Sequence, residues 1–507
     1  MKQIHHLLFV IITVVATSFV APAQSVVHPK VGETATSSDG KVKLTLIAKK
    51  QNYSAAMKDS YDRDINSPKS ASVTPDGKKY YINSLEGGVT IAYDMATHKK
   101  LKVISHNFTD AGSKHLWAPA SGLFEWHKQW TTPNTFMGKP VEATFSHGGR
   151  YLWVPYYRRT YDINAVEPSA MAVIDTQKDE IIKLFETGPL PKMVATSHDN
   201  KTLAVTHWGN NTVGLIDISS NNPNDWHYTK LLVVDYVLPL NFGNRKVNRD
   251  NNSGYCLRGT VFTPDDKYLI VCCMGGGGGL AVIDVEKQEY LGRVMGVMPN
   301  VRHILIRDGY IYLSVNSAGY VQRIKLDKFM ESAKQMNNHL ATSTGWENCK
   351  VGAGARTIEM SPSGKYLFAA CNNASKLCVV DTRTMTMIAE IAVDSYPVGL
   401  DVSKDGKTVI VTSQGHTQGG KTLGGLAVNI YSVEYAEPEP VIKPTQPAEN
   451  DSIAAAKKGN GNSSQESTSW LGTTTGKVTV GALAALLIAA IAVPVSKKRR
   501  KKIANRL

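Results

Sequence analysis

Lys69, Lys192, Arg258 and Arg356 stand at one offset, seven residues before the centre of a recurring turn at Asp76, Asp199, Asp265 and Ser363. Three more turns, at Gly148, Asp308 and Asp405, place Val141, Val301 and Val398 at that offset, with Glu142 and Arg302 one residue later. Five of the seven repeats therefore bring a cation to, or beside, a single position. If the repeats are arranged around an axis, these side chains converge on one ring. Cations gathered in a low-dielectric funnel raise one another's cost and attract an anion. Glu142 is the carboxylate that could partly neutralise them. It is also, with His303, a candidate general base by position.

Other chemistry is weakly represented. His106, His115 and His127 are spaced by 9 and 12, which matches no tight metal-ligand pattern, so no metal site is expected. No C-x-x-C-H run is present, G-x-S-x-G and H-E-x-x-H are lacking, and no cofactor motif is found. GGGGG at 275–279 joins two strand-like runs, has no helix after it and lacks the Lys-Ser/Thr of a phosphate loop, so it reads as a hairpin. The six cysteines leave two readings open, disulfides in an exported domain or buried thiols. Cys371 and Cys378 flank one hairpin and would face each other across it.

The elements that position the ring are seven copies of one pattern, running from SVTPDGKKYYINSLEGGVTIAYD to DVSKDGKTVIVTSQG with GGLAVNIYSVEY. Each has an alternating strand, a turn, a second strand, a hairpin, and a third strand ending in an apolar run, usually with Asp. Successive turns lie 72, 51, 66, 43, 55 and 42 residues apart, so a unit of about 42 carries insertions. Four short strands per 40 to 45 residues is the signature of a β-propeller blade. Fourth strands follow the Asp in MTMIAEIAV (385–393) and EYLGRVMGV (289–297). The early strand KVKLTLIAKK (41–50) has no blade of its own, while the last copy stops at its third strand. A ring must close or expose an edge, so the early strand is expected to complete the seventh blade.

With its SPDGK-YL and VIDT cores, the chain resembles the YVTN-type propeller repeat family, which is similar in fold to lactonase-like propellers. The resemblance implies an all-β, seven-bladed propeller of about 375 residues. It leaves function open, because such propellers serve as binding proteins, hydrolases and cofactor domains.

The net charge of +14 divides unevenly. Residues 1–23 read as a signal peptide, residues 24–435 as the propeller ectodomain, and residues 436–475, rich in Pro, Ser, Thr, Asn and Gly, as a disordered linker. Residues 476–496 contain GALAALLIAAIAV and read as a transmembrane helix, uncharged over 478–495. The tail at 497–507 is basic, which orients the C-terminus to the cytoplasm and the ectodomain to the periplasm or cell exterior.

The reading that follows is a non-catalytic binding propeller. It takes an anionic ligand or a protein partner at the channel rim formed by Lys69, Lys192, Arg258, Arg302 and Arg356. The aromatic insertion at 105–140 would be its lid, and a second aromatic insertion would hold Trp226, His227, Tyr228 and Tyr236. Single-stranded nucleic acid fits the charge, but no further feature of the sequence supports it. The alternative is a lactonase-like hydrolase in which Glu142 or His303 is the base and arginines stabilise an oxyanion.

Overall fold

The computed structural model describes residues 26–126, 131–238, 247–418 and 421–440. Seven sheets, antiparallel save for a short parallel edge strand, Leu340–Thr342, on the fourth, succeed one another along the chain, with inner strands Pro68–Val73, Thr144–Ser146, Pro191–Thr196, Leu257–Phe262, Val301–Arg307, Ala355–Met360 and Pro397–Val402. We number these blades 1 to 7. From blade 2 to blade 7 the inner strands lie side by side, Ser70 of blade 1 bonds the Val141 carbonyl of blade 2, and Pro68–Val73 packs against Pro397–Val402, so the ring is closed. The chain is an all-β, seven-bladed propeller.

The turn chemistry explains the repeat. In blade 1 the Thr74 hydroxyl donates to Asp76 at 2.7 Å, the Asp76 carboxylate accepts from the Lys78 N–H at 3.1 Å, and Gly77 adopts φ +69°. The same hydroxyl-to-carboxylate bridge recurs as Ser197 to Asp199, Thr263 to Asp265 and Ser403 to Asp405. A side chain that supplies the turn's missing acceptor is why Asp stands there and why the repeat is so visible in sequence.

Closure follows the expected route. Val42–Gln51 pairs with Ala427–Tyr435 as the outer strand of blade 7. Val42, Leu44 and Leu46 are fully buried there and join Phe368, Val379 and Val393 of blade 6 in one cluster. The early strand thus holds the last sheet together and seats it on its neighbour.

Several expectations change. The segment after Trp226 is no insertion, because His227–Val233 is the outer strand of blade 3. Trp226 is buried against Trp153 and stacks on His147. Blade 5 contains a helix, Leu326–Lys334, with Phe329 and Ala333 buried, before its outer strand Glu347–Lys350. Contacts of the propeller also pass residue 435: Glu437 pairs with Lys365 at 2.9 Å, and Glu439 accepts from Ser363 N–H and Oγ at 2.7 Å each. The first residues assigned to a linker therefore dock on blade 6.

The described aromatic side chains of the 105–140 insertion pack on the propeller body instead of forming a lid: Phe108, Trp117, Trp126 and Phe136 lie on blade 2, and Phe124 sets its ring edge-on to His207 and Tyr228 of blade 3. The guanidinium of Arg159, 1% exposed, lies within about 5 Å of the rings of Trp117, Trp126 and Phe136, and it donates to the Ser169 carbonyl at 3.1 Å. His106 is enclosed between Thr90 and Tyr156 at 2.7 and 2.8 Å. His127 lies outside the described residues. So do the expected signal peptide (1–23), the transmembrane helix (476–496), the basic tail (497–507) and most of the linker. Among the described residues no helix is long and apolar enough to cross a membrane.

All six cysteines are buried free thiols. Cys371 and Cys378 do face each other, with Sγ atoms 3.8 Å apart. At GGGGG, Gly276 to Gly279 all have positive φ, and Arg293 donates to the Gly278 carbonyl at 2.7 Å, which makes the run a held hairpin loop.

Candidate functional site

Each ring residue owes its direction to a backbone irregularity. In six of the seven blades the pairing of the inner strand with its neighbour slips at the ring position: between Pro68 and Ser70, Pro191 and Met193, Leu257 and Thr260, Val301 and Ile304, Ala355 and Thr357, and Pro397 and Gly399. A bulge re-aims a side chain that a regular strand would send elsewhere. In blade 2 the strand does not begin until Thr144, so Val141 and Glu142 lie between strands, with the Val141 N–H bonded to the Pro155 carbonyl at 3.1 Å.

The bulges are latched from blade to blade. Ser70 Oγ donates to the Val141 carbonyl at 2.7 Å, Thr206 to Arg258 at 3.3 Å, Ser314 to Arg356 at 2.5 Å, and Thr357 to Val398 at 2.7 Å. Gly259 and Gly399 follow ring positions, and a Cβ at either would meet the next blade's backbone within 3 Å, at Arg302 and His303 or at Lys69 and Ser70. The ring is therefore built into the closest approach of successive blades.

Lys69, Lys192, Arg258 and Arg356 are all at least nine-tenths buried, and Arg302 and His303 are half-buried. The structure brings Lys69 and Arg258 to one carboxylate. Glu142 Oε1 is 3.2 Å from Lys69 Nζ and 3.7 Å from an Arg258 terminal nitrogen. Burial alone would raise the Glu142 carboxyl, but Lys69, Arg258, Arg356 and His303 outweigh it and hold the group below its ordinary value. Arg302 reaches Asn300 Oδ1 at 3.2 Å, and Lys69 Nζ and Arg356 Nε lack a hydrogen-bond acceptor of good geometry. Lys192 Nζ lies 3.6 Å from the centre of the Tyr157 ring and 4.9 Å from that of Trp208.

The cations depress one another. Lys69 and Lys192 are pushed well below the usual lysine range, first by burial and then by neighbouring guanidiniums. Arg258 falls to about 10 by burial and by Arg356. His303 falls to about 4, chiefly by burial, and is neutral at pH 7. Among the described residues the ring joins five basic side chains to one carboxylate, a site short of negative charge.

Lys192 gives a prediction with a definite sign. Its folded pKa lies below the unfolded one, so protonating it opposes folding at neutral pH, and the penalty fades as pH rises towards about 10. Lys192→Met should raise stability at pH 7 by about 1–2 kcal/mol in urea denaturation, with the gap over wild type shrinking by pH 10. A loss of stability, or a pH-independent gap, would contradict this picture.

A second prediction concerns acid. His106 and His207 are both inaccessible to solvent, and burial holds each at about 3. Between about 6.5 and 3 the unfolded chain takes up these protons and the folded chain does not, so stability is complete above 6.5 and lost below it. Each site should cost roughly 1.4 kcal/mol per pH unit in that window. Unfolding free energies that stay flat from pH 6.5 to 4.5 would be inconsistent with it.

The far end of the channel carries residues that the repeat alignment contained but charge reasoning passed over. Glu359 and Asp401 lie three residues beyond the ring positions of blades 6 and 7. Burial and Asp401 raise Glu359 to about 7, and Asp401 accepts the Val73 N–H at 2.6 Å and the Val402 N–H at 2.8 Å. Lys404 faces both carboxylates and Arg307 faces Glu359, so this end sets acid against base where the ring is mainly cationic.

A family model described as Lactonase, 7-bladed beta-propeller matches residues 144–418, more than half of the chain. The hydrazine synthase subunit beta of Kuenenia stuttgartiensis is 24% identical over 214 residues, 42% of this chain and 42% of that protein. The match therefore spans about two-fifths of that relative's length. Two solved structures are similar in fold. Kuenenia stuttgartiensis hydrazine synthase has a TM-score of 0.49 and 15% identity, with 69% of this chain and 94% of that chain covered. The Cps50 (Swd1) β-propeller domain of Myceliophteria thermophila has a TM-score of 0.48 and 9% identity, with 72% and 96% covered.

Proposed function

The chain belongs to the lactonase seven-bladed β-propeller family, and from that premise and the geometry of the ring we propose that it binds a compact, multiply charged anion at the cationic mouth of its channel without transforming it. The observation that carries this reading is the imbalance of the ring, in which Lys69, Lys192, Arg258, Arg302 and Arg356 act on one another while Glu142, the one ring carboxylate among the described residues, pairs with Lys69 and Arg258. Water cannot easily repay the desolvation of so many cations, and an anion can. Burial of the ring favours a carboxylate, phosphate or sulfate group over a nucleic-acid strand lying across the rim. Titration of the full chain with citrate in low salt tests it: saturable binding is expected, and its absence would sink the proposal.

A second reading has one observation in its favour. His303 is neutral, its Nδ1 has no hydrogen-bond partner among the described residues, and it feels the charges of Glu142 and Arg258. It could take a proton from water while Arg258 and Arg356 hold the developing oxyanion of a lactone. Glu142 suits that role less, since its charge is engaged by Lys69 and Arg258. Under this reading His303→Ala would abolish turnover across a lactone panel and leave citrate affinity within about threefold. A panel that shows no turnover by the wild-type chain removes the hydrolase.

The proposal also places the propeller outside the cytoplasm, anchored by residues 476–496, with a protein partner as the other occupant of the rim. The apolar run and the KKRRKK after it support that topology.

A further inference from the structure

The N-terminal arm builds a second site, away from the channel, where blade 7 meets blade 1. Residues 26–31 run back along the closing strand, and Val27 exchanges hydrogen bonds with Ser395. Beneath them a buried polar floor is satisfied from within. Asp394 takes His28 Nδ1 at 2.7 Å, Lys49 Nζ at 2.8 Å and Asn429 Nδ2 at 2.8 Å, and Lys49 also donates to the Pro29 carbonyl at 2.6 Å. The loop after the strand is fixed by Gln51, whose side chain binds Tyr53 N–H, Ser54 and Ser60. Arm, strand, loop and the Thr97–His98 hairpin enclose a cleft of about 1020 Å³.

The walls of this cleft are unlike its floor. The closing strand slips register between Leu46 and Ala48, which leaves Ile47 as the extra residue of a bulge, and Ile47 is 42% exposed. Val31 of the arm and Met57 of the loop are 57% and 47% exposed. Three large apolar side chains left to solvent around one cleft mark a binding surface, not random exposure. Lys30, Lys50 and Lys58 line the same cleft and form no ion pair among the described residues, and Asp59 is the one carboxylate in the lining. We propose that this cleft binds a free long-chain carboxylate, an anionic amphiphile of the fatty-acid class. Its chain lies on Val31, Ile47 and Met57, and its carboxylate meets the lysines. The volume exceeds what a single such chain needs, and the lysine stems cover apolar surface while their charges stay in water.

Titration of the full chain with oleate, below the concentration at which it self-associates, tests the site. One saturable equivalent is expected, with oleyl alcohol, the same chain without charge, at least tenfold weaker. Met57→Asp should weaken oleate at least tenfold. The triple change Lys30→Gln, Lys50→Gln and Lys58→Gln should bring oleate down to the alcohol's affinity. All variants should keep the thermal midpoint and the citrate affinity of wild type, which separates this site from the channel. Equal binding of oleate and oleyl alcohol, or indifference to Met57→Asp and to the triple change, would overturn the proposal. Binding only to vesicles containing phosphatidylglycerol would instead make the patch a membrane contact. Binding only after removal of residues 1–23 would give the cleft to the chain's own N-terminus.

Discussion

Exchanging Arg258 and Arg356 together for Gln is expected to weaken citrate binding by about a hundredfold or more, since each charge-assisted hydrogen bond lost in a buried site is worth roughly 1.5–3 kcal/mol. Gln keeps much of the volume and the hydrogen-bonding capacity, so the change tests charge more than packing. The two arginines sit in blades 4 and 6, which do not adjoin, and both act on Lys69, Lys192 and Glu142. Stability should not fall with affinity. Removing two of five cations relieves the repulsion that depresses Lys192, so the free protein should keep or gain stability in urea. Salt dependence carries the same information, because a ligand held by fewer cations loses less affinity as ions are added. A variant that loses affinity and stability together would point to collapse of the channel.

The second large effect concerns closure. Leu46→Asp should destabilise the propeller by more than about 4 kcal/mol, because it buries an unpaired carboxylate and removes a side chain that joins blades 6 and 7. Leu46→Ala should cost about 2–5 kcal/mol, and Ile47→Ala, on the same strand but half exposed, well under 1 kcal/mol. The contrast between adjacent residues shows whether the strand closes the ring as described. An opened ring also exposes the edge of Ala427–Tyr435, so the Asp variant should aggregate on partial denaturation. Equal costs at 46 and 47 would mean that the strand is bound from its edge alone.

The ring was legible in the sequence because the turn that marks each blade is chemically rigid. Asp76, Asp199 and Asp265 fix the strand register, so counting back seven residues reaches Lys69, Lys192 and Arg258 without any knowledge of the fold. The bulges that aim these side chains leave no mark, since Lys69 or Arg356 would read the same in a regular strand. Glu359 and Asp401 were in the same alignment, three residues further on, but a search for converging cations does not look for carboxylates at the other mouth. Tyr157 and Trp208 come from second strands and loops, and nothing local to them announces Lys192. Two misreadings had signals that were overridden. Leu326, Phe329, Met330 and Ala333 recur at helical spacing, yet the repeat led one to expect only strands. The polar run Ser219–Asp225 separated His227–Val233 from its blade, so an outer strand looked like an insertion. The exposed cleft at Ile47 needed the structure, because it is assembled from an arm, a bulge and a loop that sequence distance keeps apart.

Calorimetric titration of the full chain with citrate, for wild type and for Arg258→Gln with Arg356→Gln, at two salt concentrations, tests the account most directly. One saturable site that weakens with salt in wild type and is lost in the double variant is the predicted result. Unchanged citrate affinity in the double variant, or no binding by wild type at low salt, would contradict an anion site in the channel.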